Sequence, residues 1–246
     1  VGAFGITKQG LGNLLLSGNN TYTGTLTIGG LGGTTTLSGD NTATTGATTL
    51  NFATLAFDYG ASPTTRKIST GLFSALGGAL VLNGNAGTAS VETVSGNTSF
   101  AAGGRVNITL NSTGQDLSLD LGTLTRATGA GTVRFTLPSE AQTGTNGSLT
   151  STGTDATTGL LGTGGGWAMV NDGTGTYFAT KSGNNIVAVS TTTQNDVSLW
   201  TSGQNLSDST VGGGFTGTVA DCLSINSLRF DAAGPSTVTL GATEML

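Results

Sequence analysis

The residues LSGNNT at positions 16–21 return almost unchanged as LSGDNT at positions 37–42. The offset between the two copies is 21 residues, which lies in the range of the repeats that build solenoid folds. Related Ser-Gly words occur at positions 95–97, 182–185 and 202–205, and the last two begin about 20 residues apart. Since Gly and Asn tolerate the positive φ that sharp corners require, these words predict tight turns that recur at a fixed period.

Apolar and polar residues alternate along many short segments between the turns, as at 106–111, 116–121 and 132–137. A period of two residues indicates a strand with one buried face and one solvated face. Leu16 and Leu37 hold the same position in the two copies of the repeated word, so we expect them to lie in adjacent coils. The residues predicted to line one continuous core are Leu14, Leu16, Leu26, Ile28, Leu37, Val106, Ile108, Leu110, Leu117, Leu119, Val133, Phe135, Leu228 and Phe230.

Together these features predict an all-β chain that forms a single-stranded parallel β-helix (β-solenoid), with coils of about 20–25 residues and irregular loop insertions. An antiparallel β-sandwich or barrel is the competing fold, because its strands and turns have similar chemistry. The near-identical words one coil apart favour the solenoid. We predict one continuous β-solenoid over 1–246, with regular coils at 1–51, loop-rich stretches at 52–78 and 138–165, and later coils at 166–246.

The composition excludes several classes of protein. The net charge is −5, only 9% of the residues are charged, and 43 of the 246 residues are Gly. Nucleic-acid binding needs clustered Lys and Arg, whereas the 8 basic residues are scattered and Arg66-Lys67 is the one adjacent pair. The apolar stretch at 72–82 is broken by glycines and is far shorter than the ~20 residues that a spanning helix requires. We therefore expect no nucleic acid partner and no membrane insertion by this segment.

The sequence offers little for catalysis, and we predict no catalytic, cofactor-binding or metal-binding residue. There is no His, and Cys222 is the one cysteine, which excludes His-based triads and an intrachain disulfide; Cys222 is expected to be a buried apolar thiol. Asp116 and Asp120 share a strand face but lie about 13 Å apart along it, beyond the roughly 5–9.5 Å of paired glycosidase carboxylates. A polysaccharide-cleaving β-helix stays open as an alternative, since a neighbouring coil could supply a second carboxylate. Three further carboxylates are expected to cap turns: Asp172, Asp196 and Asp208.

The glycine-rich stretches and the tryptophans are assigned structural roles. The runs at 164–166 and 212–214 lack the Asp spacing of calcium-binding repeats, and 129–131 lacks the Lys of a phosphate-binding loop. These glycines are therefore interpreted as turn formers. Trp167 and Trp200 are interpreted as aromatic residues that fill the core or anchor loops.

The segment GITKQGLGNLLLSGNNTYTG at positions 5–24 resembles the autotransporter-associated β-strand repeat. That family reads Lys-x-Gly-x-Gly, a short apolar strand, and then Ser-Gly-x-Asn-x-Tyr-x-Gly, and the copy at 37–42 matches it in part. The stretches at 165–168, 202–205 and 226–234 resemble segments that accompany the repeat in long surface proteins of environmental bacteria. The resemblance implies an exported, β-helical passenger region that projects from the cell, and it supplies no catalytic residues.

The functional expectation is therefore an extracellular structural protein rather than an enzyme. The sequence shows no polar cap or terminal helix near either end, and an open solenoid edge is a template for more strands. We expect the coils to continue end-to-end, with flanking repeats of a longer chain or with other copies of this one, as a stiff rod, fibre or surface coat at the cell surface. The alternative is an adhesin that binds surface polysaccharide. No cofactor is expected.

Overall fold

A computed structural model describes residues 3–101, 103–127, 129, 131–138, 142, 147–151, 161, 166–208, 213–220 and 222–241. The chain is all-β, and its parallel strands stack as a β-solenoid of about 8 turns. The predicted fold class is therefore confirmed. A short 3₁₀ helix spans Val197–Leu199.

The strands are short, as expected for a chain in which glycine-rich corners recur every few residues. In chain order they are β1 (Ile6–Lys8), β2 (Leu14–Leu16), β3 (Leu26–Gly29), β4 (Thr34–Leu37), β5 (Thr48–Asp58), β6 (Phe73–Asn83), β7 (Ser90–Thr93), β8 (Thr98–Phe100), β9 (Val106–Asn111), β10 (Leu117–Asp120), β11 (Leu124–Arg126), β12 (Val133–Thr136), β13 (Leu149–Thr150), β14 (Ala168–Asn171), β15 (Thr176–Ser182), β16 (Asn185–Ala188), β17 (Thr192–Thr193), β18 (Asn205–Ser207) and β19 (Ser227–Arg229).

Strands from consecutive coils pair in parallel and in register. Leu16 on β2 lies opposite Leu37 on β4, which confirms that the two copies of the repeated word occupy adjacent coils. The period then grows along the chain, from 21 residues at this pair to 35 residues between Val133 on β12 and Ala168 on β14. The stretch 52–78, expected to be irregular, contains the end of β5 and the beginning of β6. Most of the second such stretch, 138–165, lies outside the described residues.

A column of glycines marks one corner of the solenoid, at Gly24, Gly46, Gly71, Gly96 and Gly122. A β-carbon added at Gly46 would lie 1.8 Å from the carbonyl oxygen of Gly24 in the preceding coil. No side chain fits in that space, so only glycine lets the two backbones approach this closely. The glycine content that rules out helices is thus used where coils touch backbone to backbone.

Most of the predicted core residues are buried in one cluster, but the described residues form a second cluster as well. A large cluster is built from the strands β1–β16, and a second cluster contains Val197, Trp200, Leu206, Phe215 and Val219. The prediction of one continuous core is therefore wrong for the described residues. The predicted residues that are buried, all in the large cluster, are Leu26, Ile28, Leu37, Val106, Ile108, Leu110, Leu117, Leu119, Val133 and Phe135.

Four predicted core residues are not fully buried. Leu14 and Leu16 are half-buried because their strand, β2, has a strand partner on one side only among the described residues. Leu228 is half-buried at the margin of the second cluster, and the side chain of Phe230 is 59% exposed. Phe230 follows the end of β19, so the alternation that would turn it inward no longer applies.

An antiparallel hairpin separates the two clusters. β15 pairs antiparallel with both β14 and β16, and β16 pairs antiparallel with β13. The Ser-Gly word at 182–185, predicted to be a solenoid corner, is the tight turn of this hairpin, where Gly183 has a φ of 59°. Two-residue hairpin turns favour residues that adopt positive φ, whereas Gly18 and Gly39 form corners of the solenoid without it, so a similar short word forms both structures. Parallel stacking resumes with the three-stranded sheet β17–β18–β19.

Candidate functional site

Ionisable side chains meet in the interior between the third and fourth coils. Tyr59 follows β5, and Glu92 lies on β7. Arg66 is the last residue of the loop at 60–66, and Lys67 follows it directly. Tyr59, Lys67 and Glu92 are at most 1% exposed. A buried group of this kind is the first place to look for a functional site, since perturbed ionisable groups cluster at such sites.

Glu92 is at the centre of the group. Its Oε2 accepts hydrogen bonds of 2.7 Å from the hydroxyl of Tyr59 and of 2.7 Å from the backbone N–H of Lys67. Its Oε1 lies 3.8 Å from Nε of Arg66 and accepts no hydrogen bond from the described residues. Burial raises the pKa of Glu92 more than its hydrogen bonds with Tyr59 and Lys67 lower it. Burial, reinforced by the charge of Glu92, also raises the pKa of Tyr59 far above its ordinary range.

The ammonium group of Lys67 fastens the loop at 60–66 to the preceding coil. Its Nζ donates to the oxygen atoms Ser38 O at 3.0 Å, Gly39 O at 3.2 Å, Ser62 O at 2.9 Å and Thr65 Oγ1 at 2.6 Å. The same nitrogen lies 5.1 Å from the centre of the Tyr59 ring. Burial lowers the pKa of Lys67, and the negative charge of Glu92 opposes this shift. An ammonium has three protons, so these oxygens already use its donor capacity.

This arrangement acts as a polar clamp and has no open position for a substrate. The Tyr59 hydroxyl and the Lys67 ammonium are occupied by groups of the chain itself, and the guanidinium of Arg66 bonds Ser95 Oγ at 2.6 Å and the carbonyl of Thr93. Its perturbed pKa values follow from burial, and structural ion pairs shift pKa values in the same way. The group therefore explains how the loop at 60–66 is held on the solenoid.

Two concavities of ligand size in the described part of the chain are not lined by an ionisable residue. The first has a volume of about 310 Å³ and is lined by Leu110, Asn111, Ser112, Thr136, Leu137, Pro138, Asn171 and Gly173. The second, of about 530 Å³, is lined by Phe178 and by residues 223–228. General acid–base catalysis requires a titratable group within hydrogen-bond reach of the substrate, and the lining residues of these two sites supply none.

The predicted turn-capping carboxylates behave as expected at two of three positions. Asp172 accepts hydrogen bonds from the backbone N–H groups of Thr174 and Gly175, and Asp196 caps the 3₁₀ helix by accepting from the N–H of Ser198. Hydrogen bonds from the Ser198 hydroxyl and N–H lower the pKa of Asp196.

Asp208 differs from this prediction, because it links two coils of the second cluster. It is 2% exposed and accepts from the backbone N–H groups of Asp231 and Ala232 and, at 2.7 Å, from the hydroxyl of Ser236. Burial opposes its ionisation, but the hydrogen bonds from Asp231, Ser236 and Ala232 outweigh burial and lower the pKa of Asp208. Its donors lie 23–28 residues away, one coil further along the chain.

In the register of the described strands, Asp120 is not opposite another carboxylate. Asp120 lies between Thr93 and Thr150 in the register of the sheet, and its Oδ1 accepts from the N–H of Gly122 at 2.9 Å. The described residues contain no group of three or more His, Cys, Asp or Glu side chains that could hold a metal ion.

Cys222 contradicts its prediction, whereas both tryptophans follow theirs. Cys222 is exposed, with a φ of 59°, because it lies in a turn rather than on a strand. Trp167 packs against Phe100 in the large cluster, and Trp200 packs against Phe215 in the second. The glycine runs at 129–131, 164–166 and 212–214 lie partly outside the described residues.

Comparison with protein-family models, with curated proteins and with solved structures finds no match. Within the described residues, no helix has the length and apolar character needed to cross a bilayer.

Proposed function

We propose that this chain is an extracellular structural segment that spans distance as a stiff β-solenoid rod, fibre or surface coat. The observation that carries the proposal is the in-register parallel stacking of consecutive coils. Each turn adds about 4.8 Å along the axis, so about 8 turns reach roughly 38 Å, if all turns share one axis. Within each sheet, consecutive coils are tied together by backbone hydrogen bonds, which resist bending and stretching together.

The first coil offers a surface on which a further coil can stack. Ile6 on β1 is half-buried, while Leu26, its partner one coil later, is fully buried. Leu16 and Leu37 show the same difference. The inward side chains thus become buried only when coils cover them on both sides. We propose that a coil of the same kind, from flanking repeats or from another copy of the chain, covers this edge.

Side chains on the first coil already show the pattern that such stacking requires. Asn20 Nδ2 donates to Asn41 Oδ1 at 2.7 Å, and Asn41 Nδ2 donates to the carbonyl oxygen of Lys67 at 2.6 Å. The ladder runs in one direction, so an Asn on a preceding coil is placed to donate to Asn20 Oδ1. A β-carbon at Gly18 would meet nothing within 4 Å, whereas one at Gly39 would strike the backbone of Gly18. The space beside Gly18 is thus the space that a covering coil occupies.

Light scattering over a concentration series tests the proposed stacking. The N–H of Ile6 points to β3, where it donates to the carbonyl of Thr25, so the N–H of Thr7 points to the open edge. We expect the mass of the 246-residue chain to rise with concentration, Thr7→Pro to stay monomeric, and Thr7→Val, which keeps the edge N–H, to associate like the original chain. A monomer whose mass is independent of concentration would refute stacking on this edge.

Adhesion to surface polysaccharide is the second candidate function, and one observation favours it. A row of hydroxyl side chains runs across six coils in register on the outer face: Thr7, Thr27, Thr49, Ser74, Ser99 and Thr125. Such a row presents hydroxyls about 4.8 Å apart along the stack. A glycan array probed with the folded chain separates the two functions, because selective binding supports the adhesin and uniform silence supports the spacer. Release of reducing sugar in the same experiment would indicate the polysaccharide-cleaving alternative.

A further inference from the structure

Among the described residues, the solenoid consists of two stacks that share neither a core cluster nor a sheet. The first stack comprises the strands β1–β16 with the large cluster, and the second comprises β17–β19, the 3₁₀ helix and the cluster around Trp200 and Phe215. Within the second stack, parallel bridges join Asp196 to Thr216 and Thr218 to Thr239. Each stack is thus held by its own ladder, while no described sheet pairing joins one stack to the other.

Along the chain, a single residue, Ser190, connects the two stacks. Val189 belongs to the first stack, because its N–H donates to the carbonyl of Phe178 at 2.9 Å. Thr191 belongs to the second, because its Oγ1 lies 3.0 Å from Oγ of Ser207. Ser190 lies between them, is exposed, and takes part in no hydrogen bond with the described part of the chain. A change in the dihedral angles of Ser190 would therefore reorient the stacks without breaking either ladder.

A side-chain contact between Arg229 and Tyr177 bridges the stacks at a distance from this connection. The guanidinium carbon of Arg229, on β19, lies 3.8 Å from the centre of the Tyr177 ring on β15. Both partners are held in place within their own stacks. Arg229 Nε pairs with Asp231 Oδ1 at 2.6 Å, and the hydroxyl of Tyr177 lies 3.0 Å from Oγ1 of Thr174. A guanidinium stacked on an aromatic ring is a directional, attractive contact.

The second concavity lies where the stacks meet, and its walls come from both. Phe178 forms the wall on the first stack, and residues 223–228 form the wall on the second. The gap of about 530 Å³ shows that close packing does not lock the stacks together here. Rotation about Ser190 would widen or close this gap, and the contact of Arg229 with Tyr177 opposes its widening.

We propose that the chain contains a hinge at Ser190 that is held closed by a latch, the stacked pair of Arg229 and Tyr177. The hinge goes beyond a role as a stiff spacer, because it gives the rod one defined place at which it bends while every coil stays intact. Hinges of this kind absorb a change of dihedral angles in a few connecting residues while the packed bodies move rigidly. A contact of this type is worth about a 2- to 30-fold bias toward the closed state.

Distance measurement between two spin labels tests the proposal on the full chain. Cys222 is exposed, lies in the second stack and is the one cysteine of the sequence, so it takes one label directly. Ala89→Cys provides an exposed site for the other label on the first stack. We expect one narrow distance population with the latch intact and a broader, shifted population in Arg229→Ala, with the open fraction rising about 2- to 30-fold relative to the closed one.

Two further variants separate the latch from a general loss of charge or of folding. Arg105→Ala removes an exposed arginine of the first stack and is expected to leave the distance population unchanged. Tyr177→Leu keeps an apolar side chain in the hairpin and is expected to behave like Arg229→Ala. Unchanged tryptophan emission, from Trp167 in the first stack and Trp200 in the second, shows that both stacks stay folded. Identical narrow distributions for the original chain, Arg229→Ala and Tyr177→Leu would overturn the hinge. An equally broad distribution in the original chain would overturn the latch.

Discussion

Gly39→Ala and Gly18→Ala give a matched pair that tests the stacking of coils directly. The two glycines hold the same position in the repeated word, one coil apart, and neither has a positive φ. An added β-carbon at Gly39 would lie 2.0 Å from the carbonyl oxygen of Gly18 and 2.6 Å from that of Ser17, whereas at Gly18 it would meet nothing within 4 Å. The main difference between the two substitutions is that Gly39 packs against the backbone of a preceding coil, whereas a β-carbon at Gly18 has no neighbour within 4 Å.

The size of the effect follows from the contacts that must open. Real β-carbons stay at least 3.0 Å from such atoms, so the two coils must separate by about 1 Å at Gly39. This separation strains the hydrogen bonds from the N–H groups of Ser38 and Gly39 to the carbonyl of Leu16, each worth about 1 kcal/mol. With about 1–3 kcal/mol for overpacking, Gly39→Ala should destabilise the chain by roughly 2–4 kcal/mol. Gly18→Ala should be neutral, or stabilising by about 0.4–1 kcal/mol through the unfolded state.

Hydrogen–deuterium exchange, read together with urea denaturation, is the appropriate assay. We expect Gly39→Ala to accelerate exchange in β3 and β4 and to lower the denaturation midpoint, while Gly18→Ala leaves both unchanged. Equal effects of the two substitutions would refute the reasoning, because they would show that Gly39 does not abut the backbone of the first coil. A local effect confined to the neighbouring coils would be consistent with nearest-neighbour energetics in a solenoid.

Three further predictions concern the buried carboxylates and the second core. Because burial raises the pKa of Glu92, its contribution to stability is complete below the unfolded pKa and is lost as the pH rises through the raised value. Glu92→Gln should remove this slope from a pH series of urea denaturations, and an unchanged slope would contradict the assignment. Asp208 should show the opposite slope, since its hydrogen bonds overcome burial and lower its pKa: its contribution is present above the unfolded pKa and lost on acidification, and Asp208→Asn should flatten the acid limb. Phe215→Ala should destabilise the second stack by about 3–5 kcal/mol and unfold it alone. Tryptophan fluorescence should then report early exposure of Trp200, while the amides of the first stack keep their protection from hydrogen exchange. A single joint transition would contradict two separate cores.

Alternation predicted burial well where each coil has neighbours on both sides, and it failed where packing overrides polarity. Val133 and Phe135 follow the pattern and are buried. On β7 the pattern is reversed, because Glu92 faces the interior while Val91 is 65% exposed. The inward position of Glu92 is set by its register with Leu119 and is made tolerable by donors from another coil. The sequence of β7 alone does not reveal those donors and so does not predict the polar clamp. The only hint in the sequence is that Arg66 and Lys67 form the one adjacent basic pair.

The recurring Ser-Gly words predict where the chain turns. They do not predict whether a turn is a corner of the solenoid or the turn of a hairpin. The word at 16–21 forms a solenoid corner, and the similar word at 182–185 forms a hairpin turn. Glycine and asparagine are favoured in both kinds of turn, although Gly183 has a positive φ and Gly18 does not. The choice depends on which strands lie nearby to pair, and those strands are distant along the chain. The prediction that Cys222 is buried is wrong for a related reason. The sequence around Cys222 does not reveal that β19 begins only later, at Ser227.

The all-β class, the parallel coils and the 21-residue period of the first repeats follow from local information. Turn residues and alternating strands act over a few positions, and a repeat that stacks on its neighbour needs only to match the next copy. The division into two cores, the hairpin between them and the exposure of Ser190 arise in the folded chain alone. They depend on pairings between segments far apart in sequence, whose free energy no short window contains. The stacking of Arg229 on Tyr177 is of the same kind, because 52 residues separate the two positions and only the folded chain brings them into contact.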